Sequence, residues 1–160
     1  MTKREIHQRF VDQMTSELES IRAAAKNTAA MATDEEHKAD SKYDTFSLES
    51  SYLAHGQAMR VQELTEALER MRVLPLHELK EGSPVVLGTL VRLEDDEGDK
   101  RTLFFGPAGG GEEVLVDGED IILITKQSPL GQAVLGKTVG EQFDIKMGLD
   151  PQTFTVVSVH

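Results

Sequence analysis

The chain has 160 residues with no cysteine and no tryptophan, and 28 acidic against 17 basic side chains leave a formal charge of −11. That balance argues against independent DNA or RNA binding, since phosphate backbones repel an acidic surface; the missing cysteines exclude a disulfide framework and a thiolate zinc knuckle. The amino terminus, MTKREIHQRF, is charged where a signal peptide would be apolar, and no stretch approaches the roughly 20 apolar residues of a membrane span, so a cytoplasmic protein with no membrane partner is expected.

Ile6, Phe10, Met14, Leu18, Ile21 and Ala25 follow the three-and-four spacing of an amphipathic helix, as do Ala54, Gln57, Val61, Leu64, Leu68 and Met71. Run antiparallel, the pairs Phe10–Leu68, Met14–Leu64, Leu18–Val61 and Ala25–Ala54 face one another and place the reversal near Ala39. Arms of roughly thirty residues reach about 45 Å, which predicts a coiled-coil hairpin over residues 1–74. Its seam thins from Ile, Phe, Leu and Met to Ala25, Thr28, Ala32, Ser50 and Ala54, so little apolar area is buried toward the turn, at about 25 cal/mol per Å². Both seams are used by the intramolecular pair, and a monomer is expected. The turn itself, residues 34–44, is strongly charged. Thr33 with Glu36 fits a capping box, Asp44 fits an N-cap for a helix beginning at Thr45, and a solvated turn accounts for the run. Arg4, Arg9, Arg22, Lys26, Lys38 and Lys42 suit a solvated coiled-coil face.

A break at Leu74-Pro75-Leu76 opens the second half, residues 75–160, which carries seven basic against fifteen acidic residues where residues 1–74 carry ten against thirteen. Strands are predicted at Val85–Leu93, Thr102–Phe105, Val114–Val116, Ile121–Thr125, Phe143–Lys146 and Thr153–Val159, with an acidic turn over Glu94–Asp99 and a short helix from Pro129. The whole reads as α+β, an antiparallel helical hairpin followed by an antiparallel sheet packed on a helix. Gly109–Gly111 reads as a flexible loop. The five histidines show no paired-ligand spacing, and no preformed metal site is expected.

Gly131, four residues, then Gly136-Lys137-Thr138 satisfies the phosphate-loop pattern. The setting is reversed, however: the helix from Pro129 precedes the lysine, and Phe143–Lys146 after it alternates like a strand, leaving no helix N-terminus to face a phosphate. The same stretch, Ser128-Pro129-Leu130-Gly131, Leu135-Gly136-Lys137 and Gly140-Glu141, resembles the C-terminal domain of the bacterial Gre family of transcription elongation factors, GreA/GreB-like proteins. In that family a strand leads into Ser-Pro-apolar-Gly, a short helix, Gly-Lys and a further Gly before another strand.

The resemblance implies an FKBP-like sheet-plus-helix domain that docks on RNA polymerase, with Ser128, Pro129, Leu130, Gly131, Gly136 and Lys137 as its partner-binding residues. It implies a hairpin inserted into the secondary channel of the polymerase, where tip carboxylates help hold a Mg²⁺ belonging to the polymerase and stimulate its cleavage of backtracked RNA. The factor would need no cofactor of its own, would not itself be an enzyme, and would meet RNA only within the complex. Mg²⁺ takes oxygen ligands, commonly one or two carboxylates plus waters, which explains the residue type. Here Asp40 and Asp44 are the candidates. The family's tip pairs an Asp with Glu-Asn after two intervening residues, whereas Asp40 is followed by Ser41, Lys42, Tyr43 and Asp44, so the second acid comes one place later and is one methylene shorter. Two other functions remain open from the residues: a non-cleaving regulator or inhibitor that occupies the channel, and an FKBP-type peptidyl-prolyl isomerase or chaperone. The latter would need an aromatic-lined proline pocket, and both tyrosines, Tyr43 and Tyr52, fall in the hairpin.

Overall fold

The computed structural model describes residues 2–36, 45–147 and 150–160. Helix α1 (Lys3–Glu36) and helix α2 (Thr45–Arg72) precede strands β1 (Leu90–Asp95), β2 (Lys100–Phe105), β3 (Glu113–Val116) and β4 (Glu119–Ile124), the short helix α3 (Pro129–Val134), and strands β5 (Gln142–Met147) and β6 (Asp150–Val159). By packing, the chain separates into two compact units: Met1–Gln13 with Ala67–His160, and Met14–Glu66. The sheet unit thus includes the first turns of α1 and the last turn of α2.

The start of α1 is set by a capping box that the sequence reading had not picked out. Thr2 N–H donates to the Glu5 carboxylate (2.7 Å) and Glu5 N–H donates to the Thr2 hydroxyl (3.3 Å), satisfying donors the helix leaves unpaired. Lys3 Nζ donates to the carbonyl of His77 (2.6 Å) and His7 Nε2 lies 2.8 Å from that of Met71, so the first turns of α1 run antiparallel to the end of α2.

The helical seam follows the expected positions. Ile6, Phe10, Met14, Leu18, Leu64, Leu68 and Met71 are buried, while Ile21, Ala25, Thr28, Ala54, Gln57 and Val61 are only half-buried. Within the helical unit, Arg60 pairs with Glu17 (3.0 Å) and Arg22 donates to the Thr65 hydroxyl (3.2 Å).

The six strands form one sheet in the order β3-β4-β2-β1-β6-β5. Four pairs are antiparallel, as expected, but β2 and β4 run parallel, with Thr102 opposite Ile121 and Phe105 opposite Ile124. The sheet is therefore mixed. The parallel pair arises because β3 turns back into β4 through Asp117-Gly118, both at positive φ (52° and 85°), the geometry that matches strand twist in a two-residue hairpin. β3 then lies outside β4.

The apolar run Val85–Leu93 is a strand only from Leu90. Thr89 N–H returns to the carbonyl of Val86 (3.2 Å), and Gly88 stands at φ 82°, where a Cβ would lie 2.8 Å from the carbonyl oxygen of Pro75. The acidic turn starts later than expected: Glu94 and Asp95 belong to β1. Asp95 closes the turn by accepting from the N–H groups of Glu97 (3.1 Å) and Asp99 (2.9 Å).

Alternation along β2 divides the apolar side chains between two faces. Leu103 and Phe105 join Val85, Val91, Ile124, Val134, Ile145, Phe154 and Val156 in the core beneath α3. Phe104 turns to the other face and meets Phe10, ring centroids 5.7 Å apart, and His7 at 5.9 Å. Both faces of the sheet are covered, one by α3 and one by the base of α1 and α2.

Candidate functional site

β4 is followed directly by Thr125, whose carbonyl oxygen organises the loop that follows. It accepts from the Ser128 N–H (3.1 Å) and from the Ser128 hydroxyl (2.9 Å). The same hydroxyl accepts from the Gly131 N–H (3.0 Å), which makes Ser128 the N-cap of α3 with extended backbone (φ −77°, ψ 148°). Pro129 occupies the first helical turn, where its missing N–H costs nothing and its fixed φ is already helical. Gly131 is obligatory, because a Cβ there would lie 1.9 Å from the Thr125 carbonyl oxygen.

Gly136, at φ 78°, ends the helix in the left-handed conformation that favours glycine, and its N–H donates to the carbonyl of Val85 (2.9 Å). Lys137 Nζ lies 3.3 Å from the Glu141 carboxylate, which also accepts from the Thr138 N–H (2.7 Å) and hydroxyl (3.0 Å). These bonds, led by the Thr138 backbone, hold the Glu141 carboxyl below its ordinary range. The lysine and hydroxyl of the apparent phosphate loop are thus engaged with one carboxylate. Gly140, at φ 88°, donates to the carbonyl of Val156 (2.8 Å) and ties the turn to β6.

The structure brings the six candidate loop residues together. Ser128, Pro129, Leu130 and Gly131 form the first turn of α3; Gly136 and Lys137 close its other end. Pro129 is exposed, Leu130 packs partly on the core, and Gly131 is buried. Beside the first turn opens an apolar cavity of about 570 Å³, walled by Gly110, Gly111, Ile122, Ile124, Leu130 and Ile145. Sequence reading missed this cavity; Gly110 and Gly111, taken as a flexible loop, are part of its wall. Among the described residues, no aromatic side chain lines it.

The tip candidates Asp40 and Asp44 lie outside the described residues, as do His37, Lys38, Lys42 and Tyr43. α1 ends at Glu36 and α2 begins at Thr45 on either side of them. Of the basic residues on the helices, Arg9 donates to the carbonyl of Leu115 (3.3 Å) and Arg22 to Thr65. Among the described residues no group of three or more His, Asp or Glu side chains is placed to hold a metal ion, and no helix is long and apolar enough to cross a membrane.

A long helix pair followed by a helix-covered mixed sheet, with a Ser-Pro-Leu-Gly turn capping the short helix, defines a distinct class of two-part α+β chain. The chain belongs to the GreA/GreB family of transcription elongation factors, whose C-terminal model matches residues 80–160. It is 33% identical over 101 residues to transcription elongation factor GreA of Verminephrobacter eiseniae, covering 62% of this chain and 60% of that protein. It is 25% identical over 154 residues to the transcription inhibitor protein Gfh1 of Thermus aquaticus, covering 96% of this chain and 92% of the relative. The crystal structure of Thermus aquaticus Gfh1 aligns with a TM-score of 0.41 and 24% identity over 93% of this chain and 92% of that one.

Proposed function

We propose that this chain is a transcription factor that docks on RNA polymerase through the turn around Ser128–Gly131, places the α1–α2 end in the secondary channel, and there stimulates cleavage of backtracked RNA. The observation that carries the docking is the exposed Pro129, held by a fully bonded cap on a buried glycine. A rigid exposed turn binds with little ordering cost. At the tip, Asp40 and Asp44 supply oxygen ligands to the Mg²⁺ of the polymerase; the factor contributes carboxylates and the polymerase performs the reaction. A carboxylate 4 Å from a unit positive charge gains about 4 kcal/mol at an effective dielectric of 20, against about 1 in water, so delivery into a confined site gives the acid its effect.

A second reading keeps the docking and discards the cleavage, making the chain an inhibitor that occupies the channel. It is favoured by the similarity to the Thermus inhibitor over nearly the whole of both chains and by Tyr43, which stands where the family's tip has its second acid.

Purified, backtracked elongation complexes separate the two. Shortening of the RNA by the wild type, lost in Asp40→Ala or Asp44→Ala variants that still bind, supports cleavage. Binding without shortening, with slowed nucleotide addition, replaces it by inhibition. A Pro129→Ala variant should bind the polymerase several-fold more weakly in either case, and unaltered binding would remove the docking assignment from this turn.

A further inference from the structure

The two edges of the sheet are finished differently. At the β3 edge the carbonyl of Leu115 is taken by Arg9, and Gln13 donates to the neighbouring Glu112 carboxylate (2.8 Å). At the β5 edge, Val156 N–H donates to the carbonyl of Glu141 (3.0 Å), and the register runs unbroken from Gln142 opposite Thr155 to Met147 opposite Asp150. Antiparallel pairing alternates, so Phe143 and Ile145 turn their N–H and C=O groups toward β6, while Gln142, Asp144 and Lys146 turn theirs outward. Among the described residues, none of these outward groups has a backbone partner. A bare edge of this kind is a template for another strand.

What lies beside the edge specifies the strand. The 570 Å³ apolar cavity and a second groove of about 410 Å³ share Pro129, Ile145 and Lys146, forming one trough between α3 and β5. Side chains on alternate positions of an added strand would enter that trough, on the face to which Ile145 points. Lys146, which lines both cavities, makes no ion pair among the described residues, whereas Arg92, Lys100 and Lys137 do. In a half of the chain with eight more acids than bases, an unpaired lysine on the trough wall is complementary to an acidic ligand.

We infer that β5 accepts an extended peptide segment by strand addition, with alternate apolar side chains in the α3–β5 trough and an acidic residue paired with Lys146. The inference rests on the docking reading above: the segment belongs to the polymerase that the Pro129 turn meets. Strand addition takes affinity from main-chain bonds and specificity from alternate pockets.

The test is amide hydrogen exchange of the full chain, free and bound to the core polymerase of the source organism, with binding measured in parallel. Protection of the Gln142, Asp144 and Lys146 amides on binding by at least about tenfold is expected. Asp144→Pro removes one outward N–H and no backbone bond to β6, a substitution edge strands accept; the bond its carboxylate accepts from the Thr153 hydroxyl on β6 (2.9 Å) is lost equally in Asp144→Ala. The proline variant should weaken polymerase binding about tenfold with the melting temperature little changed; Asp144→Ala, which loses the same carboxylate but keeps the N–H, isolates the backbone share. Binding that leaves these three amides unprotected overturns strand addition and spares the docking reading. Failure of the wild type to bind overturns both.

Discussion

One seam runs the length of α1, yet it is two different structures. From Ile6 to Leu18 its apolar residues are buried, and Phe10 and Met14 are wholly so; from Ile21 to Thr28 the same face is half open, as is α2 from Ala54 to Val61. Both segments are helix, so backbone hydrogen bonding does not distinguish them. Apolar area does. The first turns of α1 have the sheet as well as the end of α2 to pack against, while beyond Leu18 the seam has only the facing arm and smaller side chains such as Ala25, Thr28 and Ala54. Local opening should therefore cost much less beyond Leu18, around Ile21–Thr28, than at the base.

The sharpest way to break the contrast is Phe10→Ala. It removes a wholly buried ring that touches Phe104, and should cost about 4 kcal/mol of unfolding free energy by urea denaturation. Gly131→Ala comes next. Its Cβ meets a backbone oxygen that cannot move aside without disturbing the end of β4, and a loss of about 3 kcal/mol is expected. Ile21→Ala, on the open part of the seam, should cost only about 1 kcal/mol, while speeding amide exchange around residues 18–28 and leaving the sheet amides unchanged. Equal losses for Phe10→Ala and Ile21→Ala would abolish the distinction between base and far end.

The smallest effect is expected at Glu141. Its folded-state pKa lies below the ordinary 4.5, so whatever stability the carboxylate adds is present above about pH 4.5 and lost as pH falls through the folded-state value. The gap between wild type and Glu141→Gln, measured by denaturation from pH 7 to 3, should close over that acidic range. A gap that widens on acidification would contradict the bonding described for Thr138.

Much of this was legible in the sequence because it depends on periodicity. The two helices, the seam and its thinning follow from spacing and side-chain size, and Pro129, Gly136 and Gly140 fall where a helix start, a helix stop and a left-handed turn need them. Sequence reading missed what depends on distant partners. Nothing local marks β2 and β4 as parallel neighbours, since that follows from where β3 returns. The Val85–Leu93 run was apolar enough for one strand, but Gly88 bends it because of the Pro75 carbonyl. The requirement for Gly131 comes from Thr125, six residues away, and the cavity exists only once α3, β4 and β5 are assembled. At the tip, Asp40 and Asp44 rest on the family pattern alone.

The pairing of Phe10 with Phe104 has a consequence for how the protein is made. The ring of Phe10 leaves the ribosome about ninety residues before its partner, a delay of roughly 5–20 s at bacterial synthesis rates. Through that interval Ile6, Phe10 and Met71 have no sheet to cover, and α1 and α2 have only each other. The nascent chain therefore carries an exposed apolar helix end until β2 emerges, and a stall in translation before Phe104 should make it a substrate for chaperones that bind unfinished hydrophobic surfaces.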